Sequence, residues 1–596
     1  MRCARLDDGK WNVSAGGGAP ERLNRLRKFA RLWPWLAAVS SGLLYSACFA
    51  PFDQGWLCWF CLVPLLAAVW FSGAQAKRQG LRHLLLGYVA GLAFFWTAFS
   101  WLTTVTIPGW FLLQFYMAFY FAFWSWIAGL VRPRERPLGQ EPAAPGKWDR
   151  MLSAAGRPPS SAPRSPWLKS TSNLAVAFLL ASVWVAMEWL RSWVFSGFPW
   201  NNLGVALHAN WIIIQAAEFT GAAGLSFVVA FTNVIALTTV RRLVLEARLR
   251  IMRPHWDINF TMLGLVALIA FGWHAAKTPR HLKTIRVAAI QANIARAEKF
   301  DPQFQSKIFD QFTRLSAIAL KTEQPLDLLM WPESSMPGPV LQDEQSYRFV
   351  MDFSASSKTD LLLGAIDEED GRAYNAALLV SDAGRSVQIY RKVHLVPFGE
   401  YVPGRHTVPL LARIIGDQVP GDFDAGRDYT VFRLTNPDVR VAPLICFEDT
   451  IGELTRRFVL PDHGERGANL LANVTNDGWF LHSAASHQQL ANAVFRCVET
   501  RRPLIRAANT GVTCFVNELG RVTQILKDDT GNTFTEGVLT GEVNVPIDGD
   551  LTFYVRHGEW FAQDCVAVTV LLVAFFLGKY VLQRAFPRRT TGLPAN

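Results

Sequence analysis

Eight apolar runs, each long enough to cross a bilayer, punctuate the chain near residues 32–50, 55–72, 83–104, 108–131, 173–190, 219–240, 260–276 and 562–582. A helix of about 20 apolar residues spans the hydrocarbon core, and inside lipid a helix satisfies its own backbone hydrogen bonds. An α-helical membrane bundle of about eight helices is therefore expected. Composition agrees: of 596 residues 51% are hydrophobic and 18% charged, against about 25% charged in soluble proteins.

Loop charge orients the bundle, because short loops rich in Lys and Arg stay in the cytoplasm. Arg22, Arg25, Arg27, Lys28 and Arg31 precede the first run, and Lys77, Arg78 and Arg82 follow the second. The fourth is followed by Arg132, Arg134, Arg136, Lys147, Arg150, Arg157, Arg164 and Lys169; the sixth by Arg241, Arg242, Arg248, Arg250 and Arg253; the eighth by Arg584, Arg588 and Arg589. Connections after the first, third and fifth runs are poor in both residues. The basic loops thus share the cytoplasmic side, and the long polar segment between runs seven and eight lies outside the cytoplasm. The net charge of +11 is explained beside the membrane, with no nucleic-acid partner expected. No small-residue cleavage site follows the basic start, so an uncleaved N-terminus is expected.

The expected organisation is a cytoplasmic tail 1–31, membrane helices within 32–276, an outside domain 284–546, a last helix 562–582 and a cytoplasmic tail 583–596. Residues 132–172 are rich in Pro, Ala, Ser, Gly and Arg without apolar period, which predicts a flexible cytoplasmic insertion. Within 284–546, β-like runs recur at 285–290, 326–331, 360–366, 376–380, 387–390, 439–445, 469–474, 504–507, 512–516, 522–526 and 538–545. Turn signals at Asp382-Ala-Gly384 and Asn517-Glu-Leu-Gly520 predict hairpins. Together these describe a mixed α/β domain with a large sheet core. Cys58-Trp-Phe-Cys61 imitates a redox motif, but its apolar setting offers nothing to lower a thiol pKa, so packing is the expected role.

Three motifs place a reactive side chain just past the end of an apolar run, where α/β sheets gather their chemistry. They are Trp331-Pro-Glu333, Tyr390-Arg-Lys392 and Ile445-Cys446-Phe-Glu448. Glu333 can act as base for the Cys446 thiol, and the Lys392 ammonium can steady the thiolate and then an oxyanion. Each alone has an ordinary structural reading: a solvated glutamate, a surface lysine, a packed cysteine. The three together, in strand-end context, form a chemically sufficient set. His394, His482 and His487 lack ligand spacing, so no metal site and no cofactor are expected.

These motifs resemble the Glu-Lys-Cys triad of the nitrilase superfamily, which implies an α-β-β-α sandwich. Further segments are similar to the apolipoprotein N-acyltransferase family: His394-Leu-Val-Pro-Phe-Gly-Glu400-Tyr-Val-Pro403, Thr475-Asn-Asp-Gly-Trp-Phe480, Arg502-Pro-Leu-Ile-Arg-Ala-Ala-Asn-Thr-Gly-Val512 and, in the membrane part, Glu188-Trp-Leu-Arg-Ser-Trp-Val-Phe-Ser-Gly-Phe-Pro-Trp200-Asn-Asn-Leu-Gly204. The resemblance covers roughly residues 32–582. It implies Glu333 as general base, Lys392 as charge stabiliser, Cys446 as nucleophile and Glu400 as a second carboxylate. Glu448 is a supporting candidate, and Phe447 and Trp479 are candidates for substrate contact; Phe447 stands where several relatives carry Tyr.

The resemblance further implies ping-pong acyl transfer from a membrane phospholipid to the α-amine of a diacylated apolipoprotein, catalysed in the periplasm by a monomer of the bacterial inner membrane. A hydrophobic opening between bundle and domain is expected. The Asn201-Asn202 pair beside Trp200 is a candidate to face lipid head groups. The alternative is a membrane-tethered amidase or hydrolase with water as acceptor. A transporter or receptor is disfavoured by the intact triad and the scarcity of intramembrane charge, Glu188 being one exception.

Overall fold

The computed structural model describes residues 19–72, 78–133, 165–299, 301–321, 325–402, 405, 422–436, 438–462 and 464–585. The expected flexible insertion falls mostly outside the described residues, as do 1–18 and 586–596 of the expected tails.

The membrane part comprises α1 (Ala19–Ser46), α2 (Val63–Phe71), α3 (Gln79–Ala98), α4 (Ile107–Val131), α5 (Ser170–Arg191), α6 (Ala217–Leu249) and α7 (Trp256–Lys277). With a last helix, Trp560–Ala585, six of the described helices are long and apolar enough to cross a membrane. The second apolar run takes another form, a 3₁₀ turn Gly55–Trp59 followed by the nine-residue α2. Pro64 near the start of α2 lacks the N–H that a continuous helix would use. The break is satisfied from α6, whose Asn233 side chain accepts from Leu62 N at 2.9 Å and donates to Cys58 O at 2.8 Å. Small residues bring α3 and α4 close: a Cβ on Gly91 would sit 2.9 Å from Ala118 Cα, the close approach that drives helix association in lipid. Helix α7 and the last helix leave Phe260, Leu263, Val266, Val570, Leu571 and Phe575 exposed, apolar surface that lipid covers.

The domain contains two six-stranded sheets. The first runs β12 (Gly537–Pro546), β1 (Leu282–Gln291), β2 (Leu328–Trp331), β3 (Asp360–Glu369), β4 (Arg372–Ser381), β5 (Ser386–Arg391). The second runs β11 (Val522–Ile525), β10 (Cys514–Val516), β9 (Leu504–Ala508), β8 (Leu470–Thr475), β7 (Arg440–Ile445), β6 (Phe432–Arg433). In each sheet three central strands are parallel and the flanking pairs antiparallel. Successive strand residues point to opposite faces. Leu328 and Met330 therefore join the inter-sheet core, while Leu329 and Trp331 pack under α8 (Gln305–Leu320) and α9 (Glu344–Ser357). The second sheet is covered by α10 (Gly452–Val459) and α11 (Ala485–Thr500), completing an α-β-β-α sandwich. Short α12 (Phe553–His557) leads into α13 (Trp560–Ala585).

Domain and bundle meet through α11, which packs against α6. Gln488 joins them: its Oε1 accepts from Trp101 Nε1, Trp200 Nε1 and Asn201 Nδ2, each at 3.1 Å, and its Nε2 donates to the carbonyls of Ala50 and Ala98. Trp200 and Asn201 do not face head groups: both are buried in this seam, where their polar groups find partners on α11, whereas Asn202 of the expected pair is half-buried and lines a cavity at the seam.

Candidate functional site

Glu333 and Lys392 follow strands of the first sheet, and Cys446 follows β7 of the second. Asn375 on β4 ties the first-sheet groups together. Its Nδ2 donates to Glu333 Oε1 at 2.7 Å and to Glu400 Oε1 at 2.6 Å, while its carbonyl accepts from Lys392 N at 2.8 Å. Lys392 Nζ pairs with Glu400 Oε2 at 2.7 Å. The backbone at Glu333 passes so close to β3 that a Cβ on Gly364 would overlap it; only glycine leaves that room. Glu333 Oε2 is buried without a hydrogen-bond partner, which leaves a proton-accepting atom free.

Cys446 sits at an elbow, with a left-handed φ of 52° between β7 and the 3₁₀ turn Cys446–Thr450. Such a φ is costly for a residue with a side chain, so the surroundings must hold it. Asn473 Nδ2 and Gln489 Nε2 donate to Cys446 O at 3.0 and 2.9 Å. Beneath them Arg506, fully buried, pairs with Asp449 at 2.7 Å and Asp477 at 3.0 Å and donates to Asn473 Oδ1. In a planar trans peptide the Cys446 carbonyl and the Phe447 N–H point oppositely. Fixing the carbonyl inward therefore aims that N–H away from Asn473 and Gln489, as an oxyanion donor requires.

Glu448 is wholly buried and accepts from Tyr390 Oη, Val393 N, His394 N and Ile445 N at 2.9 to 3.1 Å. It thereby fastens the loop that carries Lys392 to the cysteine elbow. Phe447 stacks on Trp200 and Phe198 from the bundle, with centroids 5.8 and 6.0 Å away. The Trp479 carbonyl accepts from the Thr104 hydroxyl at 3.2 Å, and neighbouring Phe480 meets Trp101 edge-on. Phe447 and the segment bearing Trp479 thus both lie at the seam.

Electrostatics couple the cluster. Burial raises the Glu333 carboxyl, with Lys392 opposing and Glu400 reinforcing the rise. Burial and then Glu333 hold the Cys446 thiol well above its usual range, and Lys392 opposes them. Burial alone would lower Lys392, yet Glu400, Cys446 and Glu333 keep its ammonium above the ordinary lysine value. Glu448 is pushed to about 7, first by burial. The set can hold a proton on sulfur, a carboxylate oxygen free of hydrogen bonds whose charge the sulfur feels, and a positive charge.

Sequence reasoning missed Lys299. It is buried, its Nζ donates to Glu333 O at 2.7 Å, and burial lowers it to about 8 against the attraction of Glu333. Asn375, Asn473, Gln489 and Arg506 were also missed. They are amides and a guanidinium inside apolar or helical stretches, and only strand pairing brings them to the site. A cavity of about 320 Å³ lies at the seam beside His394, Thr450 and Ile451. Its wall combines apolar residues with carboxylates.

Against known proteins, the family description "Apolipoprotein N-acyltransferase N-terminal domain" matches residues 41–235, and "Carbon-nitrogen hydrolase" matches 286–546. The apolipoprotein N-acyltransferase of Geobacter metallireducens is 33% identical over 91% of this chain and 94% of its own. That of Brucella suis biovar 1 is 29% identical over 92% of this chain and 96% of its own. Among solved structures, a carbon-nitrogen hydrolase superfamily protein from Xanthomonas campestris aligns with 44% of this chain and 90% of its own, at 16% identity and a TM-score of 0.34.

Proposed function

The chain belongs to the apolipoprotein N-acyltransferase family, and from that premise we propose that it moves an acyl chain from a membrane phospholipid to the N-terminal α-amine of diacylglyceryl-cysteine in apolipoproteins, through a thioester on Cys446. Glu333 takes the thiol proton as Cys446 Sγ attacks the ester carbonyl. The oxyanion is held by Lys392 Nζ and the Phe447 N–H. As the carbon–oxygen bond breaks, the proton on Glu333 passes to the departing lysophospholipid. In the second half the neutral amine attacks the thioester, Glu333 accepts its proton, and collapse returns the proton to sulfur. Glu400 keeps Lys392 in place, and Glu448 keeps the Lys392 loop on the elbow. No cofactor is required.

The observation that carries this reading is the convergence of a buried carboxylate with a free oxygen, a buried ammonium and an elbow cysteine beside membrane helices. Both proposed substrates keep their alkyl chains in the bilayer, so a site at its surface holds them close. We read residues 284–546 as the catalytic unit on the periplasmic face of a bacterial inner membrane. An Asp462→Cys variant in spheroplasts should then react with an impermeant thiol reagent; protection of that cysteine would reverse the orientation.

The test of function is purified chain with labelled phospholipid. The expected result is a thioester on Cys446 and transfer of label to a diacylated lipopeptide amine. A thioester discharged only to water would instead indicate a hydrolase.

A further inference from the structure

The cavity at the seam lies between α5, α6, α13 and the end of the cysteine turn. None of Glu333, Lys392 and Cys446 lines it, so it is separate from the reacting atoms. Four carboxylates and one guanidinium do: Glu188, Glu453, Glu499, Glu559 and Arg496. Glu453 is matched by Arg456 at 2.9 Å and Glu499 by Arg496 at 2.8 Å. Among the described residues Glu188 and Glu559 have no ion-pair partner.

Glu188 is buried; its Oε1 accepts from Trp184 Nε1 and Leu203 N, the Ser226 hydroxyl lies nearby, and its Oε2 has no close hydrogen bond. Arg191, three residues on, lends field but no ion pair. Glu559 Oε2 accepts only from Trp189 Nε1, at 2.6 Å. A buried carboxylate without an ion pair is costly, and a cation in the cavity would offset that cost. Among the described residues no group of three or more His, Cys, Asp or Glu is placed to hold a metal ion, and about 320 Å³ far exceeds a bare ion. The tryptophans at its edge, Trp189 and half-exposed Trp193, suit an organic ammonium. Val185, Ala223 and Ala562 continue the wall as apolar helix surface. Arg496 Nε is buried and unpartnered, a donor available to a phosphate oxygen.

We propose that this cavity binds the ammonium-bearing headgroup of a membrane phospholipid, as a site distinct from that of the acyl donor. The ammonium meets Glu188 and Glu559, and the phosphate meets Arg496. Because Thr450 and Ile451 form part of the wall, the bound headgroup braces the cysteine turn from behind.

The test uses full-length Cys446→Ser chain, so that turnover does not consume the lipid, and variants at Glu188 and Glu559, which line this cavity and not the Cys446 site, separate binding here from binding of the acyl donor. Native mass spectrometry compares retention of phosphatidylethanolamine, its N-acetylated form and phosphatidylglycerol. About tenfold preference for the free amine is expected. In Glu188→Gln/Glu559→Gln the preference should vanish, since Gln keeps the acceptor oxygens for Trp184, Leu203 and Trp189 but removes both charges. The single Glu559→Gln variant, at the cavity edge, should lose about threefold and guards against misfolding of the pair. Equal retention of the three lipids by the parent, or a preference that survives both variants, would overturn the proposal.

Discussion

Two helical layers cover the sandwich, and they differ in what lies beyond them. Helices α8 and α9 present an apolar face to the first sheet and leave alternate residues to solvent. In α11 every residue but His487 is buried. One side of α11 rests on the second sheet and the other on the membrane bundle. Its polar residues, Gln488, Gln489, Asn492, Arg496 and Glu499, would decorate the surface of an ordinary helix; here each has a hydrogen-bond partner in the seam or under the elbow. The domain is therefore continuous with the bundle at the layer that supports Cys446, and independent of it at the other layer.

The largest effect should come from the cysteine itself. Cys446→Ser exchanges a thiol for a much less acidic hydroxyl that Glu333 is too weak to deprotonate, so transfer should fall by on the order of 10⁴-fold or more. Mass spectrometry should find no acyl-enzyme, and a stable ester on the serine would remove Glu333 from the role of a limiting base. Next, Lys392→Met removes the charge proposed to steady the oxyanion. A loss of about 10² to 10³ in rate, shared by both half-reactions, is expected in single-turnover assays.

Gln488→Ala tests the continuity directly. It leaves two indole N–H groups and two carbonyls in the seam without their shared partner, at a cost of about 2 to 4 kcal/mol. Thermal unfolding in detergent should begin earlier and transfer should drop with it. Unchanged unfolding would mean the two layers differ less than their burial indicates.

Lys299→Met should slow thioester formation by about tenfold, the equivalent of roughly 1.4 kcal/mol. Burial lowers Lys299 to about 8, so it is charged below that pH and neutral above it. Its support for an ionised Glu333 is therefore present at low pH and lost as pH rises through about 8. The wild-type rate should carry a decline there that Lys299→Met lacks, while Lys392, held high by its carboxylates, stays charged. Identical pH profiles would reduce Lys299 to packing. The smallest effect belongs to the solvent layer: Arg348 on α9 is exposed and pairs with exposed Glu344. Arg348→Ala should change stability by less than about 1 kcal/mol and leave transfer within twofold.

Local pattern made much of this legible in the sequence. Every expected strand has its counterpart, since strands buried on both faces read as short continuous apolar runs; only the two-residue β6 escaped, being too short to form a run. Glu333, Lys392 and Cys446 were readable because each follows a strand, and Glu448 because it follows the cysteine. Loop charge, a local property, set the expected orientation.

Tertiary structure alone decided which polar residues serve the elbow and which side of the domain meets the membrane. Gln488 and Asn201 are 287 residues apart, and Arg506 reaches Asp449 and Asp477 only once β7, β8 and β9 align. No local periodicity encodes such partners, because a buried amide or guanidinium is tolerated only where distant chain happens to satisfy it. Likewise the left-handed backbone at Cys446 is not written at Cys446. It is imposed by Asn473 and Gln489, which hold its carbonyl from another strand and another helix.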